Sequence, residues 1–277
     1  RSAHYQIRHE PAMRHSRTLG VGGIMAGTFA EHNGSQRSPI PVLFEDNHLL
    51  VVVKPPGIPS QEDDSGDPDM LTLLKEDLKI RHNKPGNVFL GLVHRLDRPV
   101  GGAMLFAKTS KAASRLSDTV RTREFGKTYI AVVHGTPKQA QATLKHWMCK
   151  DSKRNVSDVF DRPVADAKEA VLDYAVIATS GGLSLIAVKL HTGRSHQIRA
   201  QLSAIGCPLY GDAKYGAASG QRSAAHGTVA LWSSSVSFPH PVSKEWLTFR
   251  SIPAQQAAEW SRWQLADLER AAHRFDV

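Results

Sequence analysis

Within five positions, His94-Arg95-Leu96-Asp97-Arg98, the chain places an imidazole, two guanidiniums and a carboxylate, then runs into the small apolar stretch 100–107. Charged side chains are almost never buried without partners, so such a cluster leading into a core strand is either a structural ion-pair node or a reactive site. A second group of this character, Thr192-Gly193-Arg194-Ser195-His196-Gln197-Ile198-Arg199, follows the apolar run 183–190. Ile198, Leu202 and Ile205 recur at helical spacing and Gly206 stands where a C-terminal cap belongs, which predicts a helix starting near Ser195. Arg194 and His196 then sit at a dipole-positive helix end suited to anions. Between the two groups, 128–133 reads as a strand with Tyr129 near its start; taken alone, such a tyrosine is a core residue with a satisfied hydroxyl.

The elements around these groups follow from patterning. Residues 42–53 read as strand, Asx turn and strand, stopped at Lys54-Pro55-Pro56-Gly57 because proline fixes φ and removes a donor. Lys54 closes that strand at a rim. The spacing predicts a helix over 67–80 with Leu71, Leu74 and Leu78 on one face, and a second beginning at Thr109 or Ser110. Over 108–127 six cations face only Asp118 and Glu124, which makes this a phosphate-facing surface; Lys145 to Arg154 form another cationic patch in a polar excursion over 144–170. Strands at 171–177 and 183–190 join through Ser180-Gly181-Gly182, a hairpin signal. Further strands are expected at 229–231, 236–238 and 246–250, and a helix over 254–275 in which Trp260 and Trp263 serve packing.

Composition narrows the function classes. With 277 residues and 41% hydrophobic content the chain can fill a real core, and no apolar run approaches the eighteen residues of a membrane span. The net charge of +9 points toward a polyanion such as nucleic acid. Cys149 and Cys207 stand in no ligand spacing, which argues against a disulfide framework or structural zinc and for a reducing, intracellular compartment. None of the fourteen histidines falls in an HExxH or similar metal spacing. Residues 1–40 are basic and polar and read as a partly disordered arm, compatible with a mitochondrial targeting remnant or a surface tail; matrix and cytoplasm both stay open. The globular domain is expected over 41–277, with no second domain and no separate N-terminal RNA-binding domain.

Four stretches at these separations resemble one family, the RluA-type RNA pseudouridine synthases: 52–57, 94–109, 127–131, and 192–199 running on to Gly211-Asp212-Ala213-Lys214-Tyr215-Gly216. With Phe238-Pro239-His240-Pro241 they cover about 41 to 253. The resemblance implies an α+β fold, a mixed and largely antiparallel sheet with a central catalytic cleft flanked by helices and loops. It implies an isomerase that converts uridine to pseudouridine in structured RNA, with ribosomal RNA first and transfer RNA second as substrate. A pre-ribosomal particle is a candidate partner, and no cofactor, metal or membrane is required. By motif, Asp97 is the catalytic aspartate, Tyr129 the tyrosine packing on the base and able to act as general base, and Arg194 the arginine paired with the aspartate. Arg95 matches the arginine that enters the RNA stack where the target nucleotide leaves it. His94, Arg98, Lys54 and Lys127 are expected beside it as RNA contacts. So are His196, Gln197 and Arg199, and the helix-face residues Lys108, Lys111 and Arg115.

The chemistry agrees with these roles. Moving a base from a nitrogen to a carbon linkage needs a carboxylate poised against the ribose or uracil ring, a cation keeping it ionised, a flat side chain holding the detached base, and a proton acceptor. An internal uridine must first be flipped out, at a cost of a few kcal/mol. Three positions depart from the family pattern: Thr-Ser after the catalytic loop is Val100-Gly101, the histidine of the Arg-x-His-Leu run is Gln201, and Leu-His-Ala is Leu231-Trp232-Ser233. The competing reading is a catalytically silent RNA-binding or ribosome-assembly factor on the same fold. A kinase-like loop at 94–97 is excluded, since no glycine-rich loop, strand lysine or Asp-Phe-Gly accompanies it.

Overall fold

In a computed structural model of the chain, residues 40–216 and 228–276 are described together with a short strand at 17–19. Among the described residues twelve strands form one sheet, in the order β2 (Val42–Glu45), β3 (Leu49–Lys54), β5 (Gly101–Ala107), β11 (Leu231–Pro239), β6 (Gly126–His134), β10 (Leu183–Leu190), β9 (Lys168–Ser180), β7 (Gln141–Asp151) and β8 (Val156–Phe160), with β12 (Trp246–Arg250) on β11, β4 (Gly91–Leu92) on β5 and β1 (Arg17–Leu19) on β12. All pairings are antiparallel except β11 with β5 and β1 with β12. The sheet is therefore mixed and largely antiparallel, as the resemblance implied.

Local chemistry explains the first elements. β2 (Val42–Glu45) turns into β3 (Leu49–Lys54) because the Asp46 carboxylate accepts from the amides of His48 and Leu49, both at 2.7 Å. α1 (Met70–Arg81) starts at Asp69, whose Oδ1 accepts from Leu71 and Thr72, and buries Met70, Leu74 and Leu78. β4 (Gly91–Leu92) leads through the loop 93–100 into β5 (Gly101–Ala107), which is buried along its whole length. Thr109 caps α2 (Ser110–Arg121) through Ala112, and the chain returns in β6 (Gly126–His134).

The polar excursion is a hairpin, β7 (Gln141–Asp151) and β8 (Val156–Phe160), which widens the sheet beyond β9 (Lys168–Ser180). Gly181 and Gly182, both at positive φ, turn β9 into β10 (Leu183–Leu190). α3 (Gln197–Ala204) follows. Two strands expected at 229–231 and 236–238 are one, β11 (Leu231–Pro239), because residues 232–233 pair with both β5 and β6 and carry the run through. β12 (Trp246–Arg250) matches expectation. The last helix does not: α4 spans only Leu265–His273, set off by the Gln264–Asp267 capping box, and 255–263 turn so that Trp260 and Trp263 pack on Ile130 and Val132.

Alternation along β6 decides what faces the cleft. Ile130 and Val132 point to the tryptophan core, while Tyr129, Ala131 and Val133 point to the core shared with α1 and α3. No helix among the described residues is long and apolar enough to cross a membrane. Of the basic arm only β1 (Arg17–Leu19) is described, parallel to β12; the rest of 1–39 lies outside the described residues.

Candidate active site

The loop 93–100 is held from below by the stretch after β3. The Ser60 hydroxyl donates to the Leu96 carbonyl at 2.7 Å and accepts from the Leu96 amide at 3.1 Å. The wholly buried Lys54 ammonium donates to the carbonyls of Pro55 (3.0 Å), Arg98 (3.1 Å) and Val100 (2.7 Å). Burial pushes its pKa down to about 7, with Asp97 pulling the other way. Arg98 turns back to the Gly57 carbonyl, Ser65 and Asp67. Lys54 and Arg98, expected as RNA contacts, are thus clamps that shape the loop presenting Asp97.

Asp97 meets α3 across the cleft. The Arg199 guanidinium donates from Nη1 to Asp97 at 3.1 Å, and from Nε and Nη2 to both oxygens of Asp212 at 2.7 and 2.9 Å. Burial disfavours that charge, but the two carboxylates outweigh it and raise the Arg199 pKa; burial likewise pushes Asp212 up, and Arg199 brings it below the ordinary carboxylate range. The pairing expected of Arg194 is therefore made by Arg199. Residue 199 lies on the first turn of α3 and points inward, whereas Arg194 precedes the helix on the rim and donates from Nε to the Glu169 carbonyl at 2.8 Å. Arg199 is only 4% exposed, so it is no phosphate contact either.

His196 stands beside this pair in a left-handed conformation (φ 53°), which costs a non-glycine residue about 1 kcal/mol or more and clusters at functional sites. Its Nδ1 lies 2.9 Å from the Tyr215 hydroxyl, whose oxygen accepts from the Ser157 amide at 2.7 Å. The hydroxyl hydrogen is then left for Nδ1, which assigns the imidazole hydrogen to Nε2, 3.8 Å from Asp97. Burial lowers the His196 pKa against the pull of Asp97, keeping the ring neutral. Tyr129 is 5% exposed on the same wall, and burial and Asp97 both raise its pKa, so its hydroxyl is protonated in the resting site.

Two other expected RNA contacts are internal. His94 is buried with its pKa pushed down to about 3, and Nε2 accepts from the Leu105 amide at 3.0 Å. Gln197 is spent on Thr192, the Arg194 amide and Gln201. On the helix face, Lys108 binds Glu45 and Arg115 donates to the Pro241 carbonyl, while Lys111 is exposed. The 145–154 patch is largely neutralised by Lys145–Glu169 and by Arg154 with Asp151 and Asp158.

What lines the cleft includes the expected Arg95, Lys127, Arg194 and His196 and adds cations that were not expected there. Among the described residues, a cavity of about 710 Å³ is lined by seven Arg or Lys residues and one carboxylate, Asp97. Arg95, Arg123, Lys127 and Lys189 on its walls make no salt bridge among the described residues. Sequence reasoning missed the support given by Ser60, Asp212 and Tyr215, and the rim positions of Arg123 and Lys189. The last two carried a signal, since Arg123 stands just before β6 and Lys189 at the end of β10, two strands that border the cleft.

The departures from the family pattern also find their place. Trp232 pairs in register with Gly101 across β11 and β5, and its indole fills the space a side chain at 101 would need, donating to Ser251 at 3.2 Å. A small residue at one position and a large one at the other are one exchange. Gln201 is fully buried and reaches His146 Nδ1 at 2.9 Å and the Ala170 carbonyl at 3.2 Å, tying α3 to β7 and β9.

A family model described as RNA pseudouridylate synthase matches residues 48–204. The chain is 34% identical over 243 residues to the uncharacterized RNA pseudouridine synthase YjbO of Bacillus subtilis, covering 84% of this chain and 81% of that one. It is 31% identical to ribosomal large subunit pseudouridine synthase D of Zymomonas mobilis, covering 79% and 70% of the two. The fold is similar to that of human RNA pseudouridylate synthase domain containing 1, with a TM-score of 0.67 at 22% identity over 87% of this chain and 98% of that one. The chain belongs to the RluA-type RNA pseudouridine synthase family, whose members isomerise uridine to pseudouridine in RNA.

Proposed function

We propose that this protein forms pseudouridine in large-subunit ribosomal RNA, with Asp97 as the group that attacks the flipped nucleotide. The observation that carries the reading is the single carboxylate, held by a buried guanidinium, in a cleft whose other charges are all positive. Such a cleft attracts a phosphate backbone and offers it one anionic nucleophile. Names of relatives such as synthase D of Zymomonas mobilis support the ribosomal substrate. Arg95, exposed beside Asp97, fills the gap left in the RNA stack. Arg199 holds Asp97 in place from across the cleft, and Tyr129 holds the base.

The same geometry orders the proton step. Burial first, and then the charge on Asp97, keep the Tyr129 hydroxyl protonated. A carboxylate that has bonded to the ribose or uracil ring no longer carries that charge, which removes the smaller of the two causes that hold the proton on the phenol. Tyr129 can act as proton acceptor only once its own proton has left, to water at the open mouth of the cleft, which places that part after attack.

The test is pseudouridine mapping by carbodiimide-based sequencing of total RNA from cells with and without the protein, repeated with an Asp97→Ala chain. Loss of one or a few ribosomal sites in both the deletion and the variant is expected. Sites that persist in the variant would overturn the assignment of Asp97.

A further inference from the structure

Lys127 opens β6 two residues before Tyr129, so both side chains leave the same face of the strand and both line the cleft. Its ammonium makes no hydrogen bond or salt bridge among the described residues, and burial lowers its pKa. The one carboxylate among the described residues lining the cleft, Asp97, is already taken by Arg199. Nζ stands 6.0 Å from the centre of the Phe125 ring and 2.9 Å from where a Cβ on Gly193 would be. The bare backbone of the 192–194 turn therefore closes over the ammonium, and a side chain at 193 would displace it. A poorly solvated, unpaired ammonium is costly, and that cost is recovered only if an anion arrives with the substrate.

We propose that Lys127 binds the phosphate adjoining the flipped uridine, so that the nucleotide is gripped at its base by Tyr129 and at its backbone by Lys127. This rests on reading the cleft as the uridine site. Two residues along a strand separate side chains by about 6.8 Å. That spacing suits a base and its own phosphate better than two atoms of one ring, and flipping carries the phosphate inward with the base.

The test titrates the full chain with uridine and with uridine 3′- and 5′-monophosphate, read by NMR. Wild type is expected to bind one monophosphate about tenfold tighter than uridine. Lys127→Met should bind nucleotide and nucleoside alike, with uridine affinity unchanged and thermal stability equal or higher. Lys127→Arg should restore the preference. A Lys127→Met chain that keeps the preference overturns the proposal. So does one with unchanged nucleotide affinity but slowed single-turnover pseudouridine formation, which would put the ammonium on the departing base. If wild type forms no pseudouridine in ribosomal RNA yet loses the phosphate preference on Lys127→Met, the proposed function falls and the phosphate site stands.

Discussion

Asp97 and Asp212 share one guanidinium, and this sets what single substitutions do at the centre of the site. Asp97→Asn keeps an oxygen for Arg199 but no nucleophile; pseudouridine formation should fall by a thousandfold or more, on the order of catalytic knockouts, with the melting temperature nearly unchanged. Arg199→Lys cannot span two carboxylates, because a point ammonium lacks the planar fork. It should lose both activity and stability, the latter by roughly 3–5 kcal/mol as Asp212 is left buried without its partner. Arg194→Ala should spare the melting temperature and weaken RNA affinity alone. Circular dichroism melts beside single-turnover assays separate the three, and equal losses for Arg194→Ala and Arg199→Lys would contradict the pairing described above.

At the scale of elements, two junctions can be tested. Where β5 meets β11, Gly101→Ser should destabilise by about 1–3 kcal/mol through overpacking on Trp232, and Trp232→His in the same chain should recover most of it. An additive double variant in urea titrations would dismiss the exchange. Where β2, α1 and α2 meet, Glu45 accepts from Lys108 and Arg81 at 2.7 Å each and contacts His82 at 2.8 Å. Burial pushes its pKa up, but these partners outweigh it and hold the carboxyl at about 2 against an ordinary 4.5. A folded pKa below the unfolded one contributes stability that is full above pH 4.5 and lost as pH falls toward 2, here roughly 3 kcal/mol. His94 adds to acid sensitivity over a higher window. Its folded pKa of about 3 lies below 6.5, so the unfolded chain takes up that proton first as pH drops. Urea midpoints of Glu45→Gln should vary less between pH 5 and pH 3 than those of wild type.

These elements show what sequence could and could not reveal. Caps, turns and apolar periodicity are local, and so α1, α2 and the β9–β10 hairpin were legible, whereas the cleft position of Tyr129 came only from the resemblance. The pairing of Asp97 with Arg199 spans 102 residues and depends on which turn of α3 faces inward, so the motif resemblance placed it on Arg194 instead. Side-chain commitments were equally hidden: Lys54 and Lys108 read as free cations until the carbonyls and Glu45 they bind came into view.

For the whole molecule, the proposed function puts the RNA backbone on the rim of the cleft, where Arg123 and Lys189 make no salt bridge among the described residues, rather than on the outer face of α2 or the β7–β8 hairpin. The slope of log affinity for RNA against log salt should therefore fall by about one for each of Arg123→Ala and Lys189→Ala. Lys108→Ala should leave that slope alone and lower stability through Glu45. Equal slopes for all three would return the RNA to α2. The position of β11 carries a further consequence, one of timing. It lies between β5 and β6 although it is made after β10, so two half-sheets wait with open inner edges. At a synthesis rate of about 5–20 residues per second, the stretch from the end of β6 to the end of β11 takes roughly 5–20 s. Unpaired strand edges invite association during such a wait, so a nascent chain stalled before residue 231 should be the species most in need of a chaperone.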